Sequence, residues 1–111
     1  MPTKTETTLE ITQMITISTA HIAEKTAGEL YGITHRHPGY LPEVVKFPTV
    51  YEKFPYGYFF YLSEDIDDLK DEMPPDLWAC CEFATEHGCN WLCIDADGPV
   101  MEGLKTYEWA S

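Results

Sequence analysis

Apolar positions change period several times along the chain, and each change predicts an element. In MITISTAHI, residues 14 to 22, Ile15, Ile17 and Thr19 fall on one face and Met14, Thr16 and Ser18 on the other, which predicts a strand. Both faces are only weakly polar, so a central place in a sheet is expected. AEKTAGELYG, residues 23 to 32, moves to helical spacing. Ala23, Ala27 and Leu30, with Tyr31 beside them, make a narrow stripe, Glu24, Lys25 and Glu29 face water, and Gly32 is placed to close the helix.

Residues 33 to 46 carry two prolines and a glycine, which predict a loop with Pro38-Gly39 as its turn. FPTVYEKFPYGYFFYLS then supplies two strands, near 48 to 53 and 57 to 63, joined through Phe54, Pro55, Tyr56 and Gly57. Pro48 moves the first toward a sheet edge, whereas YFFYL is apolar or aromatic on both faces and belongs in the middle. PPDLWACCEFATEHG predicts a helix with Pro75 and Asp76 in its first turn, Leu77, Cys80, Cys81 and Ala84 facing inward, and Gly88 at its end. CNWLCIDAD (89 to 97) returns to strand, residues 97 to 99 turn, and GLKTYEW is expected as a last short extended segment. Residues 1 to 13 lack an apolar period and are expected to form a flexible leader before a single domain at 14 to 111.

The order strand, helix, strand, strand, helix, strand predicts an α+β domain. Its expected form is the ferredoxin-like split βαβ, with an antiparallel sheet, two helices, and the first and third strands central. Another small α+β sheet built from the same elements stays open.

A length of 111 residues suits one hydrophobic core. Seven Lys and Arg against nineteen Asp and Glu leave a net charge of -12, which repels phosphates and anionic lipid. Direct nucleic-acid binding is thereby disfavoured, and a basic protein surface or a divalent cation is what such a field attracts. No apolar run approaches the roughly 20 residues that span a bilayer, and MPTKTETTLE lacks the basic start and apolar stretch of a secretory signal. A cytoplasmic location is expected. The four cysteines include the adjacent pair Cys80 and Cys81, which favours reduced thiols over a disulfide framework.

The densest candidate chemistry is SEDIDDLKDEMPPD, residues 63 to 76, where Glu64, Asp65, Asp67, Asp68, Asp71, Glu72 and Asp76 stand against Lys70 alone. An EF-hand loop needs glycine at its sixth position. Counting from Asp65 that position is Lys70, and from Asp67 it is Glu72, so calcium binding is disfavoured. A row of carboxylates can instead engage a basic cleft that reads phosphates. The plain alternative is a solvated loop.

His87, Cys89 and Cys93, with Cys80 or Cys81, offer metal-binding atoms without the paired CxxC knuckles of structural zinc sites, and are read as packing groups. His35 and His37 flank Arg36 in the predicted loop and are read as an exposed turn. His21 can be paired on paper with Asp95 or Asp97, and with Ser18 or Thr19 as nucleophile. A triad is a matter of geometry, however, and no GxSxG elbow supplies it. Neither GxGxxG nor GxxxxGK[ST] occurs, so no nucleotide cofactor is expected, and no metal is assigned. Base stacking on the YGYFFYL aromatics would work against the net charge. Those tyrosines are expected to cover core or to meet a protein partner, a second copy of this chain included.

ISTAHI at 17 to 22, YGYFFYL at 56 to 62 and GCNWLCIDADGP at 88 to 99 together resemble a family of small acidic domains of unknown function carried by bacteria, phages and plasmids. The family pattern has a STAHI-type strand near its start and a W-L-x-x-D-x-D-G-type strand near its end. The matching positions are Ser18, Thr19, His21, Trp91, Asp95, Asp97 and Gly98. The resemblance implies an accessory protein of a mobile element, a setting where anti-restriction and anti-CRISPR proteins also occur, and it brings no established catalytic residues.

The resulting expectation is a non-enzymatic protein that binds a basic partner, such as a nucleic-acid-binding defence protein, through the acidic segment. The alternatives are a small enzyme or metal-dependent protein using His21, Asp95 and Asp97, and a dimeric structural module whose charge serves solubility.

Overall fold

Four short apolar segments pair edge to edge, and two helices cover one side of the result. The structure, a computed structural model, describes residues 11–35 and 47–109. Its elements are β1 (Met14–Ser18), α1 (Glu24–His35), β2 (Thr49–Lys53), β3 (Gly57–Tyr61), α2 (Pro75–Glu86) and β4 (Trp91–Asp95). Short 3-10 turns occupy Thr19–His21 and Ile66–Leu69. The leader up to residue 10, His37 and the Pro38-Gly39 turn lie outside the described residues.

The chain is an α+β domain in βαββαβ order with a mixed, mostly antiparallel sheet of strand order β1-β4-β3-β2. β1 runs parallel to β4, while β3 is antiparallel to both β4 and β2. β3 is interior and β2 lies at an edge, as YFFYL and Pro48 predict. The first strand departs from expectation, because β4 rather than β1 takes the second interior place. The side chains explain it: Leu92, Cys93 and Ile94 are all buried along β4, whereas β1 buries only Ile17 and Ser18 and leaves Met14 exposed. A strand with both faces covered suits the interior, and the threonine and serine of β1 tolerate an edge.

Ile15, Ile17, Leu92, Ile94, Val50, Glu52, Tyr58 and Phe60 share one face by register and alternation. Against this face pack Leu30 of α1 and Leu77, Cys80, Cys81 and Ala84 of α2, the last four being the predicted inward face of their helix. Gly88, at φ 78°, ends α2 as its sequence requires.

Four local expectations are corrected. β1 stops at Ser18 instead of running to residue 22, because the Ser18 Oγ accepts the Ala20 N–H at 2.9 Å and starts a 3-10 turn. Helix α1 passes through the buried Gly32 and reaches His35. The His35 ring stacks on Tyr31 at 3.9 Å, and the Thr34 hydroxyl donates to the Leu30 carbonyl, which supports the extra turn. Tyr31 is exposed, and Thr26 and Leu30 form the buried face instead. The stretch GLKTYEW forms no strand; it is tied instead to the turn after β1.

Candidate functional site

Six of the family-type positions, Ser18, Thr19, His21, Asp95, Asp97 and Gly98, lie at the end of the sheet where β1 and β4 finish, whereas Trp91 starts β4 at its opposite end. His21 is only 1% exposed. Its Nε2 accepts the Met101 N–H at 2.8 Å, and its Nδ1 lies 2.9 Å from the Lys105 carbonyl oxygen. The first contact requires a bare Nε2, so the proton sits on Nδ1 and is donated to Lys105. Both ring nitrogens are therefore engaged by the backbone of the C-terminal stretch. The same strip makes three further ties: Ser18 N–H to the Pro99 carbonyl at 2.9 Å, Tyr107 N–H to the Ala20 carbonyl at 2.8 Å, and Trp109 Nε1–H to the Ile22 carbonyl at 2.9 Å. The Ser-Thr-Ala-His-Ile run is thus a docking strip for residues 99 to 109.

Asp95 holds the other side of this junction. Its Oδ1 accepts the Asp97 N–H at 2.8 Å and its Oδ2 meets Lys53 Nζ at 2.7 Å. The Lys53 ammonium and the Asp97 amide hold the Asp95 carboxyl below the usual carboxylate range, and the Asp95 carboxylate raises Lys53. In register, Gly57 sits between Lys53 and Asp95, so no side chain separates them. A Cβ on Gly57 would stand 2.6 Å from the Ile94 carbonyl oxygen. Gly98 is equally constrained, since a Cβ there would lie 2.5 Å from the Ile17 carbonyl oxygen. Asp97 is exposed. Thr19 is half-buried beside the groove described below.

Among the described residues no hydrogen bond links His21 to Asp95, Asp97, Ser18 or Thr19, and no three His, Cys, Asp or Glu side chains come together so as to hold a metal ion. His87 bonds to the Phe83 carbonyl at 2.8 Å through Nδ1. Burial pushes the Cys80 and Cys81 thiols up to about 12, with help from Asp76 at Cys80 and from Cys80 at Cys81. Both therefore remain neutral packing groups near pH 7. His35, read from sequence as a loop residue, is helical and pairs through Nε2 with Glu52 at 3.1 Å.

The acidic segment leaves β3 and turns through Ile66–Leu69. With three residues per 3-10 turn, Ile66 and Leu69 point the same way, one buried and one half-buried, and Asp67 and Asp68 are left in solvent. Glu64, Asp65, Asp67, Asp68 and Asp71 are all exposed. Glu72 is half-buried and has a bonding partner. Asp76 does not belong to this exposed row, contrary to expectation. It is 8% exposed and its Oδ2 accepts the Ala23 N–H at 2.7 Å, which satisfies a donor at the start of α1.

The YGYFFYL aromatics, expected to cover core or to meet a protein partner, join residues outside that stretch in two aromatic surfaces. On the sheet face away from the helices, Trp91 stands between Tyr61, at 5.3 Å between ring centroids, and Tyr51, at 6.2 Å. Met14, Tyr51 and Tyr61 are exposed there. The second is a groove of about 720 Å³ between α1, the β2–β3 hairpin and the C-terminal stretch. Its walls carry Tyr31, Phe54, Tyr56, Tyr58 and Trp109, with Glu24 and Glu52 among them. The clustering of aromatics between 47 and 62 hints at both, but only the hairpin geometry separates those that point into the core from those that do not.

Residues 14–109 match the model of the C-terminal domain of a family of unknown function, DUF5983. No curated protein and no solved structure matches the chain. No helix among the described residues is long and apolar enough to cross a membrane.

Proposed function

We propose that this chain, which belongs to the DUF5983 family of unknown function, acts as a non-enzymatic accessory protein of a phage or mobile element. In this reading it binds a basic protein surface, and its target is a nucleic-acid-binding site of a host defence complex. It works by occupying that site, as an anti-CRISPR or anti-restriction inhibitor would, and not by chemistry. The observation that carries the reading is the exposed row Glu64, Asp65, Asp67, Asp68 and Asp71, held on a short turn whose apolar residues anchor it to the core. Fixed carboxylates lose less freedom on binding than those of a loose tail, and their charges add at a cleft built for phosphates.

The test is capture of partners from host lysate at low and high salt with wild type and with an Asp65→Asn, Asp67→Asn, Asp68→Asn, Asp71→Asn variant. A basic, nucleic-acid-handling complex should be retained at low salt, released at high salt and missed by the variant. Equal capture by the variant removes the segment from the interface.

A second reading, a homodimer, draws on the open sheet face. Its aromatics, Tyr51 and Tyr61 beside Trp91, carry no charge, and the Lys53–Asp95 pair at the other end of the strands cancels its own, so this face is locally neutral on a molecule of net charge -12. Sedimentation should then show a dimer that a Tyr51→Lys substitution dissociates.

A further inference from the structure

The acidic segment and the aromatic groove lie at opposite ends of β3. The hairpin that walls the groove precedes Gly57, and the acidic turn follows Tyr61, so a strand length of roughly 15 Å separates them. They are independent surfaces.

We propose that the groove is a second binding site, which takes an arginine-bearing peptide segment of the basic partner. This rests on the reading that the partner is basic, and adds where and how its side chains are received. Phe54 is 90% exposed and Tyr56 72% exposed, an unusual outlay of aromatic area at a hairpin tip, and Tyr31 and Trp109 face the same hollow. At about 720 Å³ the hollow falls within the range of sites that enclose a ligand.

The charge around it selects the occupant. Among the described residues that line the groove there is no Lys or Arg, while Glu24 and Glu52 are present, and an entering guanidinium would compete with the His35 ring for Glu52. Aromatic faces carry negative quadrupole density, and a planar guanidinium both stacks on them and bonds to carboxylates, which a hydrated ammonium does less well. An anion would meet carboxylates on a chain of net charge -12, and an uncharged apolar ligand would leave those carboxylates poorly solvated.

The walls are also preset. Trp109 is fixed through its Nε1–H to the Ile22 carbonyl, Tyr31 is stacked on His35, and the hairpin is tied to the sheet by Ala96 N–H to the Tyr56 carbonyl at 2.9 Å. In these parts of the wall little ordering is left to oppose binding.

The experiment uses two fluorescein-labelled octapeptides, alternating arginine with glycine and lysine with glycine, titrated by anisotropy at about 150 mM salt. The proteins are wild type, Phe54→Ser with Tyr56→Ser, and the four-Asn acidic-segment variant. Both serine replacements are at exposed positions and leave the charge unchanged, and circular dichroism verifies their fold. Wild type should prefer the arginine peptide by roughly tenfold. The groove variant should lose that preference and the acidic-segment variant should keep it, with amide resonances of Ala27, Gly28 and Ala96 shifting as the peptide is added. Equal affinity for the two peptides overturns the groove site. So does a loss seen only in the acidic-segment variant, and that result would leave electrostatic binding at the segment standing. Binding that depends on the groove but is indifferent to the acidic residues upholds the groove, and the role of the segment is then decided by the capture of partners with the four-Asn variant.

Discussion

At the scale of single residues, His21 ties together parts of the chain 80 and more positions apart through one neutral ring. An alanine there leaves the half-buried Met101 N–H and the Lys105 carbonyl without their ring partners and opens a void the size of an imidazole. His21→Ala should therefore lower unfolding free energy by about 2–4 kcal/mol in urea titrations, with amides of residues 101 to 109 losing exchange protection first. Gly98→Ala should be similarly damaging, because the added methyl meets the Ile17 carbonyl backbone and not a side chain that can swing away. Asp95 gives a signed pH effect. Its folded carboxyl lies below the ordinary range, so its contribution is present above that range and fades as pH falls through it. Lys53→Met should make acid unfolding begin at higher pH, read as the midpoint of loss of near-ultraviolet dichroism.

At the scale of elements, α2 is where sequence periodicity was most legible. Leu77, Cys80, Cys81 and Ala84 repeat at helical spacing, Pro75 opens the helix and Gly88 closes it, and all of these local signals agree. The two cysteines make the helix a reporter for alkaline conditions. Their folded thiols, at about 12, stay protonated where unfolded thiols, near 9.0, have ionised. Their stabilisation is complete below about pH 9 and is lost as pH rises from there toward 12, by up to about 1.4 kcal/mol per pH unit for each thiol. A Cys80→Ala, Cys81→Ala variant should show a flatter decline of the urea midpoint between pH 9 and 10.5. In the folded wild type, half-buried Cys89 should react with a thiol reagent before the other three. Elsewhere local signals misled. Gly32 reads as a helix stop, yet the helix continues because Tyr31, Thr34 and His35 bond along its last turn, and β1 is cut short by the Ser18 hydroxyl.

At the scale of the whole molecule, the proposed function has net charge set what can approach and the aromatic surfaces set what can stay. A net charge of -12 predicts association with basic partners that weakens steeply with salt. Contacts made by Phe54 and Tyr56 should survive salt better, because apolar area is not screened. A partner-binding curve that keeps a salt-resistant residue in wild type and loses it in the Phe54→Ser, Tyr56→Ser variant is the expected signature.

By itself the sequence determined the α+β class, the order of its elements, the interior place of β3, the inward face of α2 and the acid-rich turn. These depend on periodicity, turn chemistry and composition, which act between near neighbours. Only the tertiary structure decided that β4 displaces β1 from the sheet interior, since strand order depends on which faces the helices cover. It also decided that His21 clasps the C-terminal stretch, that Asp76 is buried at the start of α1, and that Lys53 reaches Asp95 across Gly57. Each of these is a contact between residues at least 42 positions apart, and no local pattern encodes a partner that distant.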